Sequence, residues 1–264
     1  MSVKKSYREK VVLLLAFFFG FFPYKFRRLM KFSFDASLGY GTGGFDIKNE
    51  VETISKLLSD RTEITCFDIG ANKGEWASGI LGVYPNAKVL CFEPDLKSVK
   101  VFENLLKEFP NLTLHNIAIS DYEGVASLHT LTDLWGGASL LPQVSLNAGY
   151  SKDVQVDTLD NFVLKSGIQP DVIKIDVEGA EMSVLKGASH TLKSVTLVEF
   201  EFSDLQMYSK LYFKDYFQFF NELGFLLGRI TPSGFAHIAK YDPVEEFFRT
   251  TNYIAYRKSA LRDK

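Results

Sequence analysis

The stretch "ITCFDIGANKGEW", residues 64 to 76, combines a short apolar run, a tight turn and the start of a helix. The run ends at Asp68, and the turn contains Gly70 and Gly74. Because glycine has no Cβ, it lets the backbone approach a ligand and lets the next helix begin close to the sheet. The pattern predicts the first strand, ligand-binding turn and helix of an α/β domain.

The chain after residue 50 repeats this alternation of strand-like and helical segments. The other strand-like segments are "KVLCFEP" (88–94), "LTLHNIAIS" (112–120), "DVIKID" (171–176), "TLVEFEF" (196–202), "FLLGRI" (225–230) and "NYIAYRK" (252–258). Alternating units predict an α/β fold with a mostly parallel sheet and helices on both faces. Ligands bind such sheets at the carboxyl ends of the strands, so we expect the chemistry there.

The composition is that of one globular domain. The 264 residues are 46% hydrophobic and 23% charged, which suffices for one sizeable core. A net charge of −2 and a pI near 6.1 predict no nucleic-acid partner. Cys66 and Cys91 both lie in apolar runs, where a free thiol behaves as a small hydrophobic group. This usage favours a reducing compartment, and we predict the cytoplasm.

The first two strand ends together indicate a nucleoside ligand. Glu93 ends the second strand, where folds of this kind bind the two hydroxyls of a ribose. Gly70 and Gly74 follow a G-x-x-x-G spacing, whereas dinucleotide sites use G-x-G-x-x-G, and no Lys-Ser/Thr pair is present to hold a pyrophosphate. An adenosine that carries a sulfonium and an amino-acid tail therefore fits better than a nicotinamide dinucleotide.

Five motifs in order carry a family resemblance. They are "FDIGANKGEW", "CFEPD", "NIAISDYEG", "VDTLD" and "IKIDVEGAEMSVLKGA". With these motifs, the region from about Glu63 to Glu201 resembles the FkbM-type family of S-adenosylmethionine-dependent methyltransferases. The resemblance implies a Rossmann-like class I methyltransferase fold with a seven-stranded sheet. It also implies methyl transfer to a hydroxyl oxygen, often on a sugar or a polyketide.

The resemblance also assigns S-adenosylmethionine to particular residues. The implied cofactor-binding residues are Asp68, Gly70, Asn72, Gly74, Glu93, Ala118 and Asp176. Glu93 would hold the ribose, and Ala118 would leave room for the adenine ring. Asp176 would end the fourth strand beside the transferring methyl group.

Three carboxylates crowd the end of that strand in "DVIKIDVEGAEMSVLKGA", residues 171 to 188. Asp176, Glu178 and Glu181 follow Lys174 there. Like charges raise each other's pKa, which would allow one carboxylate to accept a hydroxyl proton. Lys174 shares a strand face with Asp176 and could neutralise it. We predict catalytic roles for Asp176, Glu178 and Lys174, while Glu181 also suits the first turn of the next helix.

A divalent metal is the alternative use of these acids. Glu199 and Glu201 end the neighbouring strand, and with Asp176 they could hold Mg²⁺ against a diol acceptor. The ligand pair of catechol-type methyltransferases is not recognisable, so a metal is not favoured. Trp135 begins a Gly-containing stretch, 135 to 145, that could cover the acceptor, and His237 is a weaker candidate base.

The N-terminus differs from the rest of the chain. "VVLLLAFFFGFF", residues 11 to 22, is flanked on both sides by basic residues: Lys4, Lys5, Arg8, Lys10, Lys25, Arg27, Arg28 and Lys31. The run is shorter than the roughly 20 residues that a membrane-spanning helix needs. It predicts an apolar helix at a membrane interface or, alternatively, one packed on the body or on a second subunit. We divide the chain into this helix with a Gly-rich linker (1–45) and a methyltransferase domain (46–264).

These observations predict an O-methyltransferase that acts on a hydroxyl, most readily of a sugar in a glycan or glycolipid. Two alternatives are a methyltransferase of a small-molecule or polyketide hydroxyl and a catalytically silent nucleoside-binding domain. The predicted partners are a saccharide-type substrate, no nucleic acid and a peripheral contact with the inner face of the membrane. A homo-oligomer is left open.

Overall fold

The computed structural model describes residues 7–43, 46–58, 61–131, 138–142 and 148–258. Its helices are α1 (Tyr7–Gly20), α2 (Tyr24–Ser37), α3 (Ile47–Leu58), α4 (Glu75–Val83), α5 (Leu96–Glu108), α6 (Leu159–Ser166), α7 (Glu181–Lys186) and α8 (Phe213–Glu222). Its strands are β1 (Thr65–Ile69), β2 (Lys88–Phe92), β3 (Leu112–His115), β4 (Ala118–Ser120), β5 (Gly124–Leu131), β6 (Ala138–Ser139), β7 (Ala148–Thr158), β8 (Val172–Ile175), β9 (Leu197–Phe202), β10 (Leu226–Thr231), β11 (Gly234–Ile238) and β12 (Thr251–Tyr256).

The main sheet has eight strands in the order β11-β10-β12-β9-β8-β1-β2-β3. Five adjacent strands of this sheet pair in parallel, namely β9, β8, β1, β2 and β3, whereas β12 is antiparallel to both β9 and β10. The expected number of seven strands is wrong, because β11 adds an eighth strand, and the sheet is mixed. The strand β11 forms a hairpin with β10. Because it is half exposed, its sequence has no apolar run from which a strand could be predicted.

A second sheet, in the order β4-β7-β5-β6, lies in the chain between β3 and α6. The sequence predicts one strand over residues 112–120, but the structure divides this segment between the two sheets. At the break, the side-chain amide of Asn116 donates to the carbonyl oxygen of Glu93 at 2.8 Å. The long antiparallel pair of β5 and β7 was not predicted, because its strands have no continuous apolar run and bury only a small apolar cluster.

The main sheet has an apolar layer on each face, as the alternating pattern predicts. One layer packs side chains of α6, α7 and α8 on the strands, and the other packs those of α3, α4 and α5. The strand order reverses between β1 and β8, since β1 pairs with β2 on one side and β8 on the other. This reversal is the topological switch point, where doubly wound sheets bind ligands.

The N-terminal segment forms two helices rather than one. All 14 residues of α1 are exposed. No helix in the part of the chain that the structure describes is both long and apolar enough to cross a membrane. The linker after α2 is anchored, because Tyr40 is buried under Arg229, whose guanidinium lies 3.7 Å from the ring centroid. The hydroxyl of Tyr40 donates to Glu245 at 3.2 Å. Two residues of the predicted linker, Gly44 and Phe45, lie outside the described residues.

Candidate active site

The turn after β1 has a shape that only glycine permits at Gly70. Its φ is +82°, and a Cβ there would lie 1.8 Å from the carbonyl oxygen of Asp176. The amide of Gly70 donates to the carbonyl of Phe92 at 2.9 Å, and the amide of Asp176 donates to that of Ile69 at 2.9 Å. The turn therefore joins the ends of β1, β2 and β8 at the switch point.

Glu93 holds the next part of this turn. Its carboxylate accepts hydrogen bonds from the backbone amides of Asn72, at 2.8 Å, and Asp95, at 2.7 Å. Asn72 has φ +46°, and its side-chain oxygen accepts a bond from Ser98 at 3.1 Å. Burial raises the pKa of Glu93 to about 7, although the two amides oppose the shift. Each carboxylate oxygen can accept a second bond, so the Glu93 side chain can still bind a ribose hydroxyl.

Neither carboxylate oxygen of the buried Asp68 makes a hydrogen bond of good geometry within the described residues. The residue is 1% exposed, and burial raises its pKa to about 6, although Lys174 and a weak interaction with the backbone amide of Ala77 oppose the shift. Buried polar atoms in native proteins are nearly always paired, so an unpaired carboxylate beside a glycine turn indicates a missing donor or cation. The ammonium and sulfonium groups of S-adenosylmethionine fit this environment. At the end of the turn, the missing Cβ of Gly74 lets Phe102 and Leu105 of α5 pack closely against it.

Lys174 is the buried cation of the site. Its ammonium group lies 2.8 Å from a carboxylate oxygen of Asp176. Burial alone would lower its pKa, but the charges of Asp176, Asp68, Glu199 and Glu50 outweigh burial and raise it. The geometry thus places Lys174 as a counter-ion to several acids.

Glu178 and Glu181 have different surroundings although they are close in sequence. Burial raises the pKa of Glu178 to about 8, with further contributions from Asp176 and Glu181. Its backbone has φ +55°, and its carbonyl accepts a bond from Ser139. Glu181 is fully buried and accepts bonds from the amides of Val177 and Gly179 and from the Gln206 side chain. Glu181 thus stabilises the turn between β8 and α7, whereas the Glu178 side chain remains available for chemistry.

Two further buried acids, Glu50 and Glu199, lie close to Lys174. Glu50 was not predicted as a site residue. Glu50 on α3 accepts a bond from Asn252 at 2.8 Å, and Glu199 accepts one from the indole of Trp76 at 2.9 Å. Burial raises the pKa of both, and their mutual charge adds to the shift of Glu199. The available signal was an acidic residue on the apolar stripe of α3, beside Val51 and Ile54.

The remaining predicted residues lie in three different places. Ala118 starts β4 and is buried with Leu128, Val154 and Val156 in the small cluster of the second sheet. His237 is on the exposed strand β11 and lies 3.0 Å from the hydroxyl of Tyr256. Trp135 lies outside the described residues. The roles assigned to the cofactor-binding and catalytic residues remain predictions.

The metal alternative gains no support from the geometry. In the described ranges, no group of three or more His, Cys, Asp or Glu side chains is arranged to hold a metal ion. Glu201 lies beside Asp176 and Glu178, and burial together with these charges raises its pKa well above its usual range.

A doubly wound sheet with a glycine turn and an acidic second strand at its switch point defines a nucleotide-binding α/β protein. The chain matches the methyltransferase FkbM domain over residues 68–227, more than half of its length, and it belongs to that family. The resemblance read from the motifs is thereby confirmed. The chain is an S-adenosylmethionine-dependent methyltransferase.

Three known proteins show how far the similarity extends. The 2-O-methyltransferase NoeI of Sinorhizobium fredii is 28% identical over 166 residues, which cover 57% of this chain and 68% of NoeI. The crystal structure of methyltransferase FkbM from Methylobacillus flagellatus is 18% identical with a TM-score of 0.47, over 73% of this chain and 44% of that one. Precorrin-6y C5,15-methyltransferase of Geobacter metallireducens is 14% identical with a TM-score of 0.45, over 78% and 86%.

Proposed function

We propose that this protein transfers a methyl group from S-adenosylmethionine to a hydroxyl oxygen of a sugar unit in a glycan or glycolipid. The observation that carries the proposal is the strand-end site, where Asp176 and Glu178 adjoin the Gly70 turn that follows Asp68. The name of NoeI, a 2-O-methyltransferase, supports oxygen as the acceptor atom. A saccharide offers the several hydroxyls that a site rich in carboxylates can bind.

The residues of the turn would bind and orient the cofactor. Glu93 would accept bonds from the ribose hydroxyls, and the Asp68 carboxylate would lie near the cationic end of the molecule. Bound S-adenosylmethionine supplies a methyl group on a sulfonium, which becomes a neutral thioether when the carbon–sulfur bond breaks and a carbon–oxygen bond forms. The Gly70 turn would keep this end close to Asp176, because the two backbones are in direct contact there.

The strand-end acids would orient the acceptor and remove its proton. A neutral hydroxyl becomes an ether only if its proton leaves, and a nearby carboxylate can take it. Asp176 is held by Lys174, and its side chain keeps 32% of its surface exposed, so it can reach a ligand. Glu178 has its pKa raised to about 8 and is the better proton acceptor once it is ionised.

Methyl-labelled cofactor tests this reaction directly. The full-length protein would be incubated with methyl glycosides, glycolipids and small diols, with and without EDTA, and the label located by mass spectrometry. We expect a methyl ether on a sugar hydroxyl that forms equally well with EDTA. Label confined to nitrogen, or to non-sugar hydroxyls, would contradict the proposal.

We also propose that α1 and α2 bind the surface of an anionic membrane. The exposed apolar side chains of the two helices and of the turn between them include Leu14, Phe17, Phe21 and Phe34, each at least 66% exposed. An isolated apolar helix is unfavourable in water, and burial in the acyl region of a bilayer would remove this cost. The same two helices carry exposed Arg and Lys side chains at Arg8, Lys10, Lys25, Arg27 and Arg28. These cations complement anionic headgroups.

Sedimentation with lipid vesicles tests the membrane proposal. The full chain should bind phosphatidylcholine vesicles that contain phosphatidylglycerol more strongly than vesicles without it. Replacing Phe17 and Phe21 by serine should abolish binding, whereas Leu164→Ser, at a similarly exposed position on α6, should not. Binding that survives the double substitution would contradict this role of α1.

A further inference from the structure

A cavity of about 240 Å³ lies where α3 begins, next to the ends of β10 and β12. Asn49 and Glu50 of α3 and Asn252 of β12 provide polar groups in its wall. Ile230 and Pro232, at the end of β10, provide an apolar part. We call this space the α3 cavity; none of these five residues belongs to the cofactor turn.

The α3 cavity opens at the same edge of the sheet as the catalytic acids. Asn252 pairs directly with Glu201 across β12 and β9, and Glu201 lies at the carboxyl end of β9. The charges of Lys174 and Asp176 both influence the pKa of Glu50, so these groups are close. The cavity is therefore adjacent to the strand end where we place the transferred methyl group.

The wall of the cavity suits a ring that has hydroxyl groups at its rim and C–H groups on its faces. The Asn252 amide donates to Glu50 at 2.8 Å, and the Asn49 amide donates to the carbonyl of Thr231 at 2.9 Å. These bonds fix the orientation of both amides, so that their groups are preorganised for a ligand. Ile230 and Pro232 offer an apolar surface to the face of a ring.

The volume is sufficient for one sugar ring. The roughly 240 Å³ of the cavity correspond to about eight water molecules at about 30 Å³ each. The polar groups in its wall favour a saccharide over an acceptor whose surface is mostly apolar.

We propose that the α3 cavity is the acceptor subsite and binds a single sugar ring through Asn49, Glu50 and Asn252. This inference rests on the proposed function, because it names where the acceptor of that reaction binds. Thr42 and Gly43, which follow α2 in the chain, also line the cavity. The subsite would therefore lie directly after the helices that we place at the membrane surface, where a lipid-linked sugar would be found.

Two substitutions separate the subsite from the rest of the site. Pro232→Trp would fill the cavity from its exposed rim. Asn49→Leu would replace a polar side chain of the wall by an apolar one of similar size. Ser233→Trp is the matched control, because Ser233 is equally exposed in the same turn but does not line the cavity. Should Pro232→Trp fail to fold, Asn49→Leu carries the same test.

The measurement is saturation-transfer NMR of the full chain, saturated with S-adenosylhomocysteine, in the presence of methyl glycosides of hexoses and deoxyhexoses. We expect binding of at least one glycoside to the wild type and to Ser233→Trp. Pro232→Trp should weaken it about tenfold or more, and Asn49→Leu by about three- to tenfold, the effect of one lost hydrogen bond. The affinity for S-adenosylhomocysteine, measured by calorimetry, should not change in any variant.

The possible failures can be told apart. If no glycoside binds, or if both variants bind it as the wild type does, the subsite is wrong. If the protein methylates a glycoside and Pro232→Trp leaves its KM unchanged, the subsite is wrong but the proposed function holds. If the variants lose glycoside binding while no sugar is ever methylated, the α3 cavity binds sugars but is not an acceptor subsite, and both proposals are wrong.

Discussion

The two halves of the strand-end edge hold their carboxylates in different ways. In the cofactor half, at the ends of β1 and β2, Glu93 is fixed by the backbone amides of Asn72 and Asp95. In the acceptor half, at the ends of β8 and β9 and the start of α3, Asp176 pairs with the buried Lys174, whose charge also acts on Glu50 and Glu199. The first half is built by local chain geometry, and the second by residues brought together from distant parts of the chain.

Gly70 is where the two halves touch, so Gly70→Ala should have the largest effect. The new Cβ would overlap the carbonyl oxygen of Asp176, and alanine is disfavoured at φ +82°. We expect a loss of about 3 kcal/mol or more in the free energy of unfolding, because a strained backbone and an overpacked contact add. Affinity for S-adenosylhomocysteine should fall with it. Chemical denaturation and calorimetry measure both.

Gly82→Ala is the matched control for this substitution. Gly82 lies in α4, a Cβ added there would meet nothing within 4 Å, and its φ is ordinary for a helix. Alanine there should stabilise the protein by about 0.5 to 1 kcal/mol. Equal stability of the two variants would show that β8 does not press on the turn.

Asp176→Asn should separate the two halves functionally. Asp176 belongs to the acceptor half, so the affinity for S-adenosylmethionine should stay within a few-fold while kcat falls by about 10² or more. Asp171→Asn, at the opposite end of the same strand, should leave kcat unchanged, since the Asp171 side chain accepts bonds from Arg61 and the amide of Thr65, away from the strand-end acids. A wild-type rate for Asp176→Asn would remove Asp176 from the chemistry.

The same contrast explains what could be predicted from the sequence. The cofactor half is contained in "FDIGANKGEW" and "CFEP", whose glycines and acids are close enough in sequence to show their geometry. The partnership of Glu50, Glu199 and Trp76 joins α3, β9 and α4, so no local pattern reveals it. The second sheet was missed for a related reason, because β5 and β7 stabilise each other by pairing rather than by apolar runs.

Glu93→Ala should weaken the cofactor half alone. Loss of a hydrogen bond from the ribose to a charged group should reduce the affinity for S-adenosylmethionine by about 1.5 to 3 kcal/mol. The substitution also leaves the amides of Asn72 and Asp95 without their acceptor, so unfolding must be measured in parallel. Glu103→Ala, on the exposed side of α5, should change neither quantity. Unchanged affinity in a folded Glu93→Ala protein would overturn the ribose assignment.

The smallest expected effect is a change in the pH profile of the acceptor half. Burial and the charges of Asp176 and Glu181 raise the pKa of Glu178 to about 8. A carboxylate accepts a proton only when it is ionised, so a rate that depends on Glu178 should rise with pH and level off above about pH 8. Glu178→Gln should remove this rise and lower the plateau by about tenfold, because Asp176 remains.

Rate profiles from pH 5 to 9 would test this, with Glu52→Gln on the exposed side of α3 as the unchanged control. A rise that persists in Glu178→Gln but disappears in Asp176→Asn would assign the titrating base to Asp176 instead. Since the acids interact, the midpoint in the wild type belongs to the cluster, and only its loss in one variant assigns it to a residue.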